Sequence, residues 1–554
     1  MALVHRINNN FGFVLNPLYC KCITNIKRFV TERNVMRYCK EVGTNECTNY
    51  EPFGQMLKFR QNEAKKCILV KLTDMKYISD IEKFCRYYVT VVNIFPYYTM
   101  NNNNFVLMEL QSFEDVLKIR DVATFKTDVE NVRSVSPLFL YTSRNKLSSS
   151  ETRKDINLYS NFEAPMPNKI SNLLKQVDSA SDQMISLYNG LKITDLDIRL
   201  RFYTAYQISY YLSKLFSNIS VVPFGSSVNG FGQIGCDLDL LCKTTINKKA
   251  DWKKFLFMTR GIPLAERKEQ KEFLEAVYTV LKMCIPGISD IKKILEARVP
   301  IIKFCNLHTN MKCDLSSTNT IALHMSELLY MYGQLDWRIK PLVYTIRKWA
   351  RVMDLTKQQP GHWITNFSLT LLIVFYLQTK DILPSVNSIK CFVELSKSNN
   401  KTTDPNFNWF TSWKKSAKRI NNENLYCLLL NFFEYYSIFD FKTQAICIRD
   451  GISKRKKSSS PLHIYNPFDT TLNVSQNVTS IELIRLVEGF QNAIHTMSHS
   501  AEEDIILKLF NLKAKQTTNC GLNNKRTEIR LKEKLPPTIT NVNSLEKMQG
   551  NITK

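Results

Sequence analysis

The chain has 554 residues, room for roughly two to four domains. Its 75 Lys and Arg against 50 Asp and Glu leave a formal net charge of +25, more than a small-molecule substrate requires, which points to nucleic acid or an anionic membrane as partner. No run of about 18 apolar residues argues for a transmembrane helix, and fifteen cysteines without a paired spacing fit a reducing compartment.

Residues 1–31 contain no Asp or Glu, while Arg6, Lys21, Lys27 and Arg28 lie among Asn and apolar residues. We expect residues 1–35 to be a basic transit peptide or a disordered arm. Residues 65–142 read as a compact α/β module. Strand 67–72 precedes helix 79–88, with Ser79 as N-cap and Glu82 completing a capping box. Strands 89–94 and 105–110 flank an Asn-rich turn, followed by a helix from Ser112 and a strand at 137–141. The order βαββαβ is that of an RNA-recognition-motif (RRM) fold. RNA-binding versions stack bases on aromatics of the two central strands. Here the first strand has none and the third keeps only Phe105, which favours protein contact over base stacking. Residues 143–168 read as a linker, and a helical pattern fills 169–216.

The stretch 222–242 reads Val-Pro-Phe-Gly-Ser-Ser-Val-Asn-Gly-Phe-Gly-Gln-Ile-Gly-Cys-Asp-Leu-Asp-Leu-Leu-Cys. Side chains alternate along a strand, so Asp237 and Asp239 share one face while Leu238 and Leu240 turn to a core. Two such carboxylates repel unless a cation separates them, and hard oxygen-seeking ions, Mg²⁺ above all, suit them. Two metals about 3.5–4 Å apart can activate a hydroxyl and stabilise a leaving phosphate oxygen. Gly225-Ser226-Ser227 lets backbone and a hydroxyl approach a phosphate. Residues 245–295 read as helix-like. A hairpin follows over 297–316, turning at Thr309-Asn310, with Asp314 in its second strand; an acid there is costly unless paired or metal-bound. The combination resembles the polymerase-β-like nucleotidyltransferase superfamily.

A helix from Asn319 to Tyr332 would aim its N-terminus at the site. Arg347 and Arg351 are four residues apart on one helix face; they read as a solvated basic face or as a seat for a triphosphate. Helix 363–377 is apolar with an aromatic start, where Phe367 packs in a core or stacks on a nucleobase. Residues 425–441 form an aromatic core helix, Lys454-Arg-Lys-Lys457 an exposed basic loop, and 466–474 a structured turn before helices to residue 512. The tail 513–554, with nine Lys and Arg against three Glu, reads as disordered.

Ala322-Leu-His324, Trp349-Ala-Arg351, the run 364–371, the run 432–441 and Asn466-Pro-Phe with Leu-Asn-Val474 resemble the central and poly(A)-polymerase-associated regions of template-independent RNA nucleotidyltransferases. With the basic arm and the RRM-like module, residues 65–510 resemble the mitochondrial poly(A) polymerase family. That resemblance implies an α+β fold: a nucleotidyltransferase palm over 169–325 and a helical poly(A)-polymerase-associated domain over 326–512. It implies a cleft between them for ATP and an RNA 3′ end. Asp237 and Asp239 would hold two Mg²⁺ or Mn²⁺ ions; Asp314 would join one and help deprotonate the 3′-hydroxyl. Gly225 and Ser226 would hold the triphosphate, with Phe224 beside them in the nucleotide site and Arg347 and Arg351 at positions often Lys in relatives. Phe367 would stack on adenine. Met325, followed by Ser326, stands where related enzymes often carry an Asn against the ribose. The module would support a homodimer. The expected activity is template-free addition of AMP from ATP to RNA in the mitochondrial matrix. Terminal uridylyl transfer and a catalytically silent RNA-binding scaffold are the alternatives.

Overall fold

The computed structural model describes residues 51–126, 131–133, 136–141, 167–216, 218–244, 267–317, 319–359, 361–391, 421–500 and 505–516. The expectations for residues 1–35, for nearly all of the linker and for most of the tail lie outside them.

Helix α1 (Phe53–Lys65) leads into β1 (Cys67–Leu72), α2 (Ile78–Tyr88), β2 (Val91–Tyr98), β3 (Asn104–Leu110), α3 (Phe113–Val122), the small hairpin β4 (Thr124–Lys126) and β5 (Asn131–Arg133), and β6 (Leu138–Tyr141). Four of the strands form a sheet in the order β2-β3-β1-β6, with β6 parallel to β1. Ser112 caps α3 as expected, accepting from the Asp115 N–H. Ser79 does not cap α2. The helix starts at Ile78, behind a short turn that Asp74 caps instead by accepting from the Lys76 N–H. The hairpin β4–β5 was not expected; three-residue strands are too short to show a period.

The sheet is buried on both faces. Ile68, Val70 and Leu72 pack beneath α2 and α3 with Ile81, Cys85 and Val116. Cys67, Leu69, Phe105 and Leu107 point the other way, into a core shared with the next sheet. The Tyr97 hydroxyl crosses that boundary and donates to the His308 carbonyl at 2.8 Å. This face is therefore interior, apolar except where Glu109, opposite Cys67, pairs with Arg199 at 2.9 Å.

Helices α4 (Pro167–Leu174), α5 (Ala180–Leu191) and α6 (Asp195–Leu215) come next. Thr194 and Asp197 close a capping box at the start of α6. The second sheet comprises β7 (Ile219–Phe224), β8 (Leu238–Thr244), β9 (Ile288–Ile294), β10 (Ile301–Asn306) and β11 (Met311–Ser316), with α7 (Arg267–Cys284) before β9. Its order is β7-β8-β11-β10-β9. Leu200, Tyr203 and Leu212 of α6 and Phe273, Leu274 and Val277 of α7 cover one face. Each buried side chain of this size contributes about 1.5–3 kcal/mol.

The helix-like reading of 245–295 is corrected at its end, where β9 is a strand. Ile288, Ile291 and Ile294 recur every third residue, a helical signal. A bulge explains it: Asp290 has φ 51° and the register against β10 shifts between Lys303 and Cys305. The extra residue returns Ile291 to the core side that Ile288 occupies.

Helices α8 (Thr320–Leu335), α9 (Ile339–Val352), α10 (Asn366–Thr379), α11 (Leu425–Ser437), α12 (Ser480–Ser498) and α13 (Ile505–Gln516) build the rest, with the hairpin β12 (Gln444–Cys447) and β13 (Ile452–Arg455). The expected domain boundary at 325/326 falls inside α8, and the last helix passes residue 512. Trp363 precedes α10, which Thr365 caps by accepting from the Ser368 N–H. Trp349 is the centre of this core, 4.8 Å from Phe433 and stacked on Phe490 at 5.6 Å. The basic loop is partly fastened. Lys456 Nζ donates to the carbonyls of Phe441, Ser460 and Pro461, and Lys454 pairs with Asp450. Among the described residues no helix is long and apolar enough to cross a membrane.

Candidate active site

Strand β7 ends in the tight turn Gly225–Ser227. Gly225 has φ 68°, and a Cβ there would stand 2.5 Å from Asp239 Oδ2. Both facts demand glycine. The Gly225 N–H donates to Ser326 Oγ at 2.7 Å, and that hydroxyl donates to the Ala322 carbonyl at 2.6 Å. The first turns of α8 are thus fastened to the corner, and Ser326 acts on the backbone of the turn.

Asp237 is exposed just before β8, and Asp239 lies within it, opposite Phe224 of β7. Strands β8 and β11 run parallel with Asp239 and Asp314 directly paired. Leu238, Leu240, Cys313 and Leu315 fill the core behind them, as the alternation predicted for Leu238 and Leu240, so Asp239 and Asp314 share the opposite face. Burial, then the charges of Asp314 and Asp237, push the Asp239 carboxyl up to about 7. Burial also raises Asp314, against the pull of Lys303, whose Nζ donates to Asp314 Oδ2 at 2.8 Å. Burial works against the Lys303 ammonium, but Asp314, Asp237 and Asp239 outweigh it and hold its pKa above the usual lysine value. Asp314 Oδ1 is buried with no partner. Among the described residues no three His, Cys, Asp or Glu side chains close on one point as a ready-made ion cage; Asp314 is paired with Lys303 instead.

Beside the carboxylates opens a cleft of about 490 Å³, lined in part by Phe224, Ser226, Asp239, Met325, Arg347 and Phe367. The two arginines part company here. Arg347 is tied down: Nε and Nη2 donate to Thr370 Oγ1 at 2.9 and 2.6 Å, and Nη1 to the Phe231 carbonyl at 2.7 Å. Burial lowers its pKa to about 10. The Tyr344 hydroxyl, on the same helix, donates to the Gly232 carbonyl. Arg351 is exposed, outside the cleft lining, its Nη1 3.5 Å from the Thr356 carbonyl. Four residues along a helix is about 6 Å of rise, enough to carry it past the opening.

Arg201 was missed. It is 1% exposed on α6, donating to Ser227 Oγ at 2.8 Å and to the carbonyls of Cys236 at 2.7 Å and Asp237 at 3.2 Å. A lone cation within the apolar stripe of that helix was the available signal. Lys303 was missed too, although the hairpin register about Thr309-Asn310 sets it opposite Asp314.

The family model described as "Poly(A) RNA polymerase, mitochondrial-like, central palm domain" matches residues 180–334, and "Cid1 family poly A polymerase" matches residues 424–472. The mitochondrial poly(A) RNA polymerase of Mus musculus is 33% identical over 466 residues, covering 81% of this chain and 77% of its own. That of Drosophila melanogaster is 30% identical over 476 residues, covering 82% and 76%. The crystal structure of mtPAP in complex with GTP is similar with a TM-score of 0.72 and 31% identity, over 83% of this chain and 97% of that one. Its complexes with ATPγS and with UTP each give 0.71. With relatives of that identity spanning three quarters or more of their own length, the chain belongs to the mitochondrial poly(A) RNA polymerase family.

Proposed function

We propose that the chain adds AMP from ATP to the 3′ ends of mitochondrial RNA without a template. The observation that carries this reading is the direct pairing of Asp239 with Asp314 on parallel strands, with Asp239 packed against Gly225 and lining one cleft together with Gly225 and Ser226. The carboxylates fit two divalent ions, Mg²⁺ or Mn²⁺. They are hard oxygen donors, one Asp314 oxygen is buried without a partner, and a cation would relieve the crowding that lifts Asp239. Asp237 and Asp239 would hold both ions and Asp314 one of them; bound there, the ions supply positive charge to the attacking and leaving oxygens.

The remaining steps fall to the chain itself. The Gly225 N–H is occupied by Ser326 and the Ser226 hydroxyl donates to Cys236 Sγ at 3.4 Å, so the Ser226 N–H meets the triphosphate, and the hydroxyl joins it on turning from the sulfur. Phe367 takes the adenine face, and Met325 walls the pocket beside it. Asp314 accepts the proton of the RNA 3′-hydroxyl. The 3′ oxygen bonds to the α-phosphorus while the bond to the bridging oxygen breaks, and pyrophosphate leaves. Arg347 keeps the loop at Phe231 fixed against α9 and α10. Because mtPAP has been crystallised with GTP and UTP as well as ATPγS, occupancy of the pocket does not identify the base that is added, and extension is the readout. Purified full-length protein with a primer RNA and each NTP in turn should make long products with ATP. Equal or longer products with UTP would establish uridylyl transfer instead, and no product with any NTP a silent scaffold.

We place the protein in the mitochondrial matrix, with residues 1–35 as its targeting arm, as the relatives' mitochondrial naming supports. We read residues 65–142 as an RRM-like module by strand order, and as the homodimer contact. With its sheet covered, the helical side remains: Phe84, Tyr87 and Tyr88 on α2 are 43%, 81% and 42% exposed. Tyr87→Glu should lower the mass measured by light scattering; an unchanged mass refutes this contact. Deleting the module is a poorer test, since it would strip the palm of Leu69 and Tyr97.

A further inference from the structure

Residues directly opposed on neighbouring strands present their side chains to the same face. In the five-stranded sheet these pairings connect into one row: Phe224 with Asp239, Asp239 with Asp314, Asp314 with Lys303, and Lys303 with Lys292. Across the open face the chemistry therefore runs aromatic, acid, acid, base, base. Two lysines directly opposed repel, a cost in any sheet. Lys303 offsets part of it through Asp314. Lys292 is exposed on the edge strand β9, and among the described residues no carboxylate lies within ion-pair reach of it. Its neighbour Lys293 points to the opposite face, where Glu275 accepts at 3.2 Å and the Tyr278 ring lies 5.1 Å away. One lysine of the strand is partnered within the chain and the next is left bare on the catalytic face.

We infer that Lys292, with Lys303 between it and Asp314, is the track for the last phosphodiesters of the RNA primer. This rests on the polymerase reading of the site. The nucleotide cleft lies toward the β7 end of the row, so the strand carrying the attacking 3′-hydroxyl comes from the β9 end. Lys292 stands two strand spacings from Asp314, about 10 Å, the reach of the terminal nucleotides. Lysine is a compact charge that meets phosphate and reads no base. The partner is thus the backbone of single-stranded RNA, whatever its sequence.

The test uses the full-length protein, a short 5′-fluorescein-labelled single-stranded RNA, and anisotropy in EDTA over a range of salt. Lys292→Ala should weaken binding roughly fivefold, the worth of one exposed charge pair. It should flatten the slope of log affinity against log salt by about 0.7, the value for one phosphate of a single strand left without its lysine. Lys292→Arg should bind like the parent, and so should Lys293→Ala. In extension assays KM for primer should rise with Lys292→Ala while KM for ATP stays fixed. Unchanged affinity and slope in Lys292→Ala would overturn the track, as would an equal loss in Lys293→Ala, which would make the effect one of overall charge. A parent protein that binds this RNA through Lys292 but extends it with no NTP would sink the polymerase reading and leave the track standing.

Discussion

Asp239→Asn is expected to abolish tail addition and, in the same protein, to raise the thermal stability of the metal-free fold. Burial and the neighbouring Asp314 and Asp237 lift this carboxyl to about 7, against roughly 3.9 in an unfolded chain. The folded state therefore holds a proton that the unfolded chain releases. Stability contributed by that proton is complete below about pH 4 and is lost as pH rises through 7. At pH 8 the ionised group costs the fold on the order of 2–4 kcal/mol, since each tenfold change in proton affinity is worth about 1.36 kcal/mol and the fold relaxes to recover some of it. Asparagine removes the charge and keeps the shape. In EDTA at pH 8 its Tm should exceed the parent's by several degrees, and the difference should close near pH 4. Mg²⁺ or Mn²⁺ should raise the parent's Tm and leave the variant's nearly still. Tail addition should fall by about a thousandfold or more, since several kcal/mol of charge stabilisation go with the ligand. Retained tailing would remove Asp239 from the metal site, and a variant no more stable than the parent in EDTA would show that the carboxyl is not held protonated in the metal-free fold.

The acids were legible because their signals are local. Alternation along a strand sets Asp237 and Asp239 on one face without knowledge of anything else, and a hairpin turn at Thr309-Asn310 is enough to count Asp314 into the same sheet. What closes the site depends on register and on distant chain. That Asp314 pairs with Asp239 follows from the crossover between β8 and β11, which no local pattern contains. Arg347 and Arg351 have the same local signature; only the approach of Thr370 and Phe231 ties one down and leaves the other outside. Strand β9 was misread because a bulged edge strand repeats every third residue, as a helix does. Leu69 and Leu107 read as strand residues of the N-terminal module, but nothing near them says that the wall they meet is the palm. Gly225 was expected to offer its backbone to a phosphate, yet its N–H is already taken by Ser326 from a helix a hundred residues on.

Arg201→Met should uncouple the catalytic turn from the fold that supports it. This side chain is the internal brace of the 225–237 loop. One guanidinium reaches the hydroxyl of Ser227 in the turn after β7 and the carbonyls of Cys236 and Asp237 where the loop enters β8. Both ends of the loop are thereby referred to a single point on α6. Methionine fills much of the volume and donates nothing, so a hydroxyl and two carbonyls lose their buried partner at about 1–3 kcal/mol for the worst placed, with about 3–5 kcal/mol for the network. The loss of a cation also lifts Asp239 further, because Arg201 is among the charges holding it down. Tm should drop by several degrees. At a temperature where the variant remains folded, kcat should fall about a hundredfold as turn and carboxylates lose their mutual position. Arg201→Lys restores charge but not the fork, so it should recover much of the Asp239 titration and little of kcat. A variant that loses stability yet turns over normally while folded would show that the loop holds its own geometry and that the brace matters for folding alone.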